Sequence, residues 1–155
     1  MKKLVLALAV MLVAGVGKAS ANNPVEVNKR VVNAFYAEFN HAKNVSWNEC
    51  SRYIVAEFSL DNKIMYAYYK PDGSFVGIIH HMLSTDLPDN LRNSLKKKYG
   101  SFWVTELFRV ENEQGTFYYA NLENGTESVL LNSDEYNVWN TYKVTPNSEK
   151  ESASF

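Results

Sequence analysis

The residues of this chain with most scope for chemistry are three histidines, one cysteine, a few acidic pairs and an unusual store of tyrosine and tryptophan. The histidines are His41, His80 and His81. His80 and His81 are adjacent, and neighbours on a strand project to opposite faces, so both cannot reach one ion without a bulge. A zinc site needs three or four ligands, and the sequence has neither a cysteine pair nor a His-x-x-x-His spacing. Stacking or strand-end roles fit these imidazoles better, and no metal is expected. Asp86, Asp89, Asp134 and Glu135 sit in turn or helix-start contexts without the Asp-x-Asp-x-Asp-Gly spacing of a calcium loop. Cys50 stands beside Asn48 and Glu49, neither of which would stabilise a thiolate. With no Gly-x-Ser-x-Gly, no phosphate loop and no Gly-x-Gly-x-x-Gly, neither enzyme activity nor a cofactor is expected.

What remains is aromatic. The chain carries ten Tyr, eight Phe and three Trp, and Tyr66, Tyr68, Tyr119, Trp139 and Tyr142 fall at alternating positions of strand-like segments. Tyr and Trp offer large contact area at low entropic cost and recur at recognition hot spots. The same residues could equally serve as cross-strand pairs that only stabilise a sheet.

The elements that must position these residues begin with a helical pattern from Pro24. Val27, Val31, Phe35 and Phe39 recur every four residues, Asn23 offers a cap, and the helix is expected to end near His41. Asn44-Val45-Ser46-Trp47 then leads into a meander over Ser51–Met82, with turns at Asp61-Asn62-Lys63 and Pro71-Asp72-Gly73. Ile54, Ala56, Phe58 and Leu60 form its uncharged face, and Met65, Ala67 and Tyr69 are expected to join them. Ser84 to Asp89 opens a second helix through Leu87, Leu91, Leu95 and Tyr99, with Lys96, Lys97 and Lys98 suited to its C-terminal carbonyls. Strand patterns resume from Phe102 to Val144. Asn124-Gly125 reads as a two-residue hairpin turn. The Asn124-Gly125-Thr126 and Asn44-Val45-Ser46 glycosylation matches are read as chance.

Residues 1–21 have the basic start, apolar run and small −3 and −1 residues (Ala19, Ala21) of a secretory signal. Its removal would take 155 residues to 134 and, with Lys2, Lys3 and Lys18 gone, a net charge of −1 to −4. A periplasmic or secreted location is expected. An acidic balance disfavours nucleic acid and anionic membrane as partners, and no later segment is apolar enough to insert. A lone cysteine cannot staple the fold, so an apolar core must.

A weak internal repeat places Ala56 over Ala120, Phe58 over Leu122, the Asp61-Asn62 turn over Asn124-Gly125 and Asp72 over Asp134. The expected architecture is α+β: two helices packed on one face of a continuous antiparallel sheet, from two tandem helix-plus-β-meander units. Residues 22–144 would form one domain, with pseudo-repeats at about 22–83 and 84–144, and 145–155 a flexible tail. The Asn44-Val45-Ser46-Trp47 element, the aromatic strand closing on Asp72-Gly73 and the Leu87-Pro88 helix entry together resemble the PepSY-like family of exported bacterial proteins, similar in fold to the secreted β-lactamase-inhibitor protein. That resemblance spans roughly Val31 to Leu131. It implies a periplasmic or secreted α+β domain of uncharacterised activity and brings no catalytic residues with it. The expected function is a non-enzymatic binding, inhibitory or regulatory module that contacts protein or peptide through an aromatic sheet face. A small-molecule or glycan-binding protein is the alternative.

Overall fold

The structure, a computed structural model, describes residues 27–148. The signal segment 1–21, the Asn23-Pro24 cap and the end of the tail lie outside them. Among the described residues are two α-helices and an eight-stranded antiparallel sheet whose strands follow one another in chain order, an α+β fold. Two compact units divide at Ile78/Ile79, inside the fourth strand.

In the first unit, helix α1 spans Lys29–Glu38. Its start is set by Asn28, whose Oδ1 accepts from the Arg30 N–H at 2.9 Å, and so lies downstream of the Pro24 start that periodicity indicates. The Phe39 N–H closes the helix on the Phe35 carbonyl at 2.7 Å. Strands β1 (Lys43–Cys50), β2 (Tyr53–Leu60), β3 (Lys63–Tyr69) and β4 (Phe75–His81) follow. Val31 and Phe35 pack on Ile54, Ala56, Phe58, Ala67 and Tyr69, with Met65 and Trp47 beside them, which is the inward face expected from the alternation. Phe35 is the hub: its ring lies 5.0 Å from Phe58, 5.2 Å from Trp47 and 5.4 Å from Phe39.

The two turns of the meander work differently. Asp61 and Asn62 both have positive φ (50° and 62°), the backbone that a two-residue hairpin demands between Leu60 and Lys63. At the second turn the Asp72 carboxylate accepts from the Ser74 N–H at 2.9 Å, a bond that holds its pKa below the usual carboxylate value. Gly73 there has φ +95°, and a Cβ would come within 3.2 Å of the Arg30 carbonyl oxygen in α1. Gly73→Ala therefore combines left-handed strain with a clash against backbone that cannot swing away. It is expected to cost about 1–3 kcal/mol, read as a lower urea midpoint at unchanged slope.

In the second unit a 3-10 turn at Ser84–Asp86 leads into helix α2, Asp89–Lys98. Leu87, Leu91 and Leu95 are buried and the three lysines occupy the last turn, as the spacing predicts. Strands β5 (Trp103–Asn112), β6 (Gly115–Glu123), β7 (Glu127–Ser133) and β8 (Trp139–Pro146) complete it. The core beneath α2 is Leu107, Ala120, Leu122, Val129, Leu131 and Trp139. The Asn124-Gly125 turn differs from expectation. Gly125 does not have positive φ, and the turn closes through the Asn124 side chain, whose Oδ1 accepts from the Thr126 and Glu127 N–H groups at 2.8 and 2.9 Å. The tail also begins later than 145. Thr145 and Pro146 belong to β8, and Asn147 is tied to the Thr126 and Asn124 carbonyls at 2.9 and 3.0 Å.

β1 and β8 are the end strands, each with one strand neighbour. The pairing slips between Lys43 and Ser46 in β1, where Asn44 has φ 53°, and opposite Leu130/Leu131 in β8, where Tyr142 is the extra residue.

Candidate binding cleft

The five aromatics singled out by alternation do not form one exposed surface. Trp139 is 6% exposed and faces the α2 core, where its Nε1 donates to the Leu91 carbonyl at 3.0 Å. It thus anchors a helix and does not lie on a helix-free face. Tyr68 and Tyr119 are 2% and 1% exposed. Tyr68 stands opposite Val55, itself buried, so the second face of β2 and β3 is withdrawn from solvent as well. Burial pushes the Tyr68 phenol well up, with lesser contributions from Cys50 and Tyr66. It pushes Tyr119 up to about 12, with a smaller effect from Tyr142. Only Tyr66 and Tyr142 keep partial access. Tyr66 lies opposite Glu57, and burial, then that carboxylate, raises its pKa. His81 stacks on Phe108 at 4.4 Å, a packing role. Among the described residues no group of three or more His, Cys, Asp or Glu is placed to hold a metal ion.

The fold opens a larger, more polar hollow in the first unit, between residues 40–44 and 59–62, and a more apolar cleft in the second unit, beside α2. A cleft of about 460 Å³ is lined by Leu87, Leu95, Tyr99, Phe102, Val104 and Leu122, with Arg92, Lys96, Ser84 and Thr85 at its polar rim. The helical repeat supplies Leu95 from α2 and Tyr99 from the residue that caps its C-terminus. The Gly100-Ser101 turn delivers Phe102, and β5 and β6 bring Val104 opposite Leu122. Two large apolar residues neighbour the lining in sequence and stay in water: Leu83, at 69% exposure, precedes Ser84, and Trp103, at 70%, stands between Phe102 and Val104, where alternation turns it to the face opposite Val104. Val104 itself is 45% exposed.

The two rim cations are not equivalent. The Arg92 guanidinium donates to the Thr85 and Leu87 carbonyls at 3.1 and 3.3 Å and pairs with Asp89, so it pins the 3-10 turn to the helix and its charge is partnered. Lys96 forms no ion pair among the described residues. Sequence reasoning gave Lys96 only its role at the helix end and passed over Trp103. The available signal was the Phe102-Trp103-Val104 run directly after a helix stop, three large apolar residues that no alternating strand could bury together.

No protein-family model matches this chain, and no curated protein does. Solved structures do. The fold is that of BLIP-like proteins. A BLIP-like protein of Bacteroides fragilis superposes with a TM-score of 0.66 at 16% identity, over 82% of this chain and 89% of that one. A DUF2874 family protein of Bacteroides ovatus gives 0.69 at 15% identity, over 83% and 91%. A Bacteroides eggerthii protein described as a candidate periplasmic protein gives 0.69 at 12%, over 77% and 88%. At these identities the likeness is one of fold. No helix among the described residues is long and apolar enough to cross a membrane.

Proposed function

We propose that this chain is an exported, non-enzymatic binding module of the PepSY-like kind, periplasmic or secreted, whose contact surface for protein or peptide is the α2 cleft and its apolar rim. The observation that carries the proposal is the cleft itself, apolar in its lining and open to water at Val104, which is 45% exposed. An apolar hollow left in water is costly unless a partner covers it, and well-packed apolar anchors dominate interface energetics. The lining holds no carboxylate or imidazole to act as general acid or base, which supports binding over hydrolysis. The leader-like residues 1–21 and the candidate periplasmic neighbour support export. The cleft volume also lies in the small-ligand range of about 300–1,000 Å³, which favours a small molecule or glycan as the second reading.

The same reading takes the two units as diverged copies. Trp47 pairs with Ala56 and Leu107 with Ala120, so the first strand steps by 60 residues and the second by 64. The difference is four residues in the β5–β6 hairpin, which runs on to pair Asn112 with Gly115. From there the step of 64 holds: Ala56 pairs with Ala67 as Ala120 does with Leu131. The Lys70 N–H meets the Ser74 carbonyl as the Asp134 N–H meets that of Val138. Carried through at that step, the reading lays Asp61-Asn62 over Gly125-Thr126 and Asp72 over Tyr136, where the sequence alone suggests Asn124-Gly125 and Asp134.

Site-specific photocrosslinking tests the surface. With p-benzoylphenylalanine at position 104, in the cleft lining, a discrete protein adduct is expected in the native host; at exposed position 113, in the β5–β6 turn, none is expected. Absence of an adduct from position 104 would sink the assignment.

A further inference from the structure

We propose that the α2 cleft takes the C-terminal end of a peptide or protein whose last residue is apolar, with its carboxylate on Lys96. This deepens the binding-module reading and rests on it. The first part of the argument is volume. At the corresponding places in the first unit stand Phe35, Phe39 and Phe58, whose rings fill the space with centroids 4.9–5.4 Å apart. The second unit has Leu95, Tyr99 and Leu122 there, and a cleft of about 460 Å³ lies among them. Smaller residues have opened room for an apolar group where the first unit has none.

The second part is charge. One step of 60 residues back from Arg92 and Lys96, α1 carries Val32 and Tyr36. The open copy thus has cations where the filled copy has none. Arg92 is occupied by Asp89 and two carbonyls, so Lys96 is the charge left to a ligand. A cation on the wall of an apolar hollow complements a group that is apolar and anionic together. Partial exclusion of water strengthens the pairing beyond what an open surface allows.

The third part is the rim. A free small acid would be satisfied by the cleft alone, whereas Val104, in the lining and 45% exposed, and Leu83, 69% exposed next to the lining residue Ser84, carry apolar surface outward from it. They provide for residues preceding the terminal one, and that favours a chain end over a free acid.

The test is fluorescence anisotropy with a fluorescein-labelled pentapeptide ending in Phe as the free acid, the same peptide as its C-terminal amide, and octanoate as competitor. The free acid is expected to bind at least tenfold tighter than the amide. Lys96→Gln, an exposed change that leaves the core untouched, is expected to erase that difference, and Lys97→Gln, which does not line the cleft, to preserve it. Leu122→Phe is expected to refill the cleft and abolish binding. If it fails to fold, the lysine pair still decides the matter. Equal binding of acid and amide, a difference that survives in Lys96→Gln, or displacement by octanoate at lower concentration than by unlabelled peptide would each overturn the proposal. No peptide binding together with a crosslink at position 104 would overturn it while leaving the binding-module reading intact.

Discussion

Phe35→Ala is expected to cost about 3–5 kcal/mol, the usual range for deleting a buried ring, and thus a large part of the 5–15 kcal/mol that holds a typical domain folded. The residue is fully buried, and rings from α1, β1, β2 and β3 converge on it. Edge-to-face contacts with Phe58 and Trp47 add to the lost transfer energy, because each such pair contributes about 0.5–1.5 kcal/mol beyond area. These partners sit on separate elements, so the cavity cannot close by moving one side chain. Urea denaturation followed by tryptophan fluorescence would measure the loss, since Trp47 reports on the same cluster. A loss below about 1.5 kcal/mol would show that the surrounding aromatics repack, contrary to the expectation. Phe35→Leu, which keeps an apolar side chain at the hub, is expected to lose less.

Stability should be level from neutral pH to about pH 10 and then fall steeply by pH 12. Tyr68, Tyr69 and Tyr119 are buried as neutral phenols, and burial raises all three above the ordinary value of 10.0. For Tyr69 the Glu38 carboxylate pushes in the same direction. The sign follows from proton linkage. A folded state with raised phenol pKa values holds those protons more tightly than the unfolded chain. Its advantage is complete below the unfolded value and is lost as pH climbs through the folded one. Tyr119 alone, raised to about 12, would forfeit about 2 kcal/mol over that window. Absorbance at 295 nm should therefore show these buried tyrosines ionising together with loss of circular dichroism. Smooth titration of all the tyrosines near pH 10 with the fold intact would contradict the burial described.

Much of the architecture was legible in the residues. The four-residue stripes Val31-Phe35 and Leu87-Leu91-Leu95 mark the buried helix faces, because a helix has one way to hide them. The Ile54-Ala56-Phe58 alternation fixes a core face in the same manner. β1 was harder to see: Lys43–Cys50 has only Val45 and Trp47 as inward apolar residues, and a bulge breaks its period. The aromatic site was misread for a physical reason. Alternation reports that Tyr68 and Tyr119 share a face with their i±2 neighbours, but it carries no information on whether that face is covered. Trp139 was assigned the wrong side because the β8 bulge at Tyr142 shifts the phase by one residue. The cleft left one trace, the apolar run Phe102-Trp103-Val104 after the helix stop; the space among Leu95, Tyr99 and Leu122 left none, because missing volume makes no mark on a pattern.

The slips in the pairing of β1 and β8 bear on solubility. An end strand presents a row of unpaired amides and carbonyls, a template onto which another copy can add its own edge, and then another. Bulges at Asn44 and Tyr142 interrupt that row and twist it locally. A second molecule approaching either margin finds a ladder in register for only a few residues. An aromatic-rich chain of strands is well suited to stack into fibres, and these two irregularities work against that.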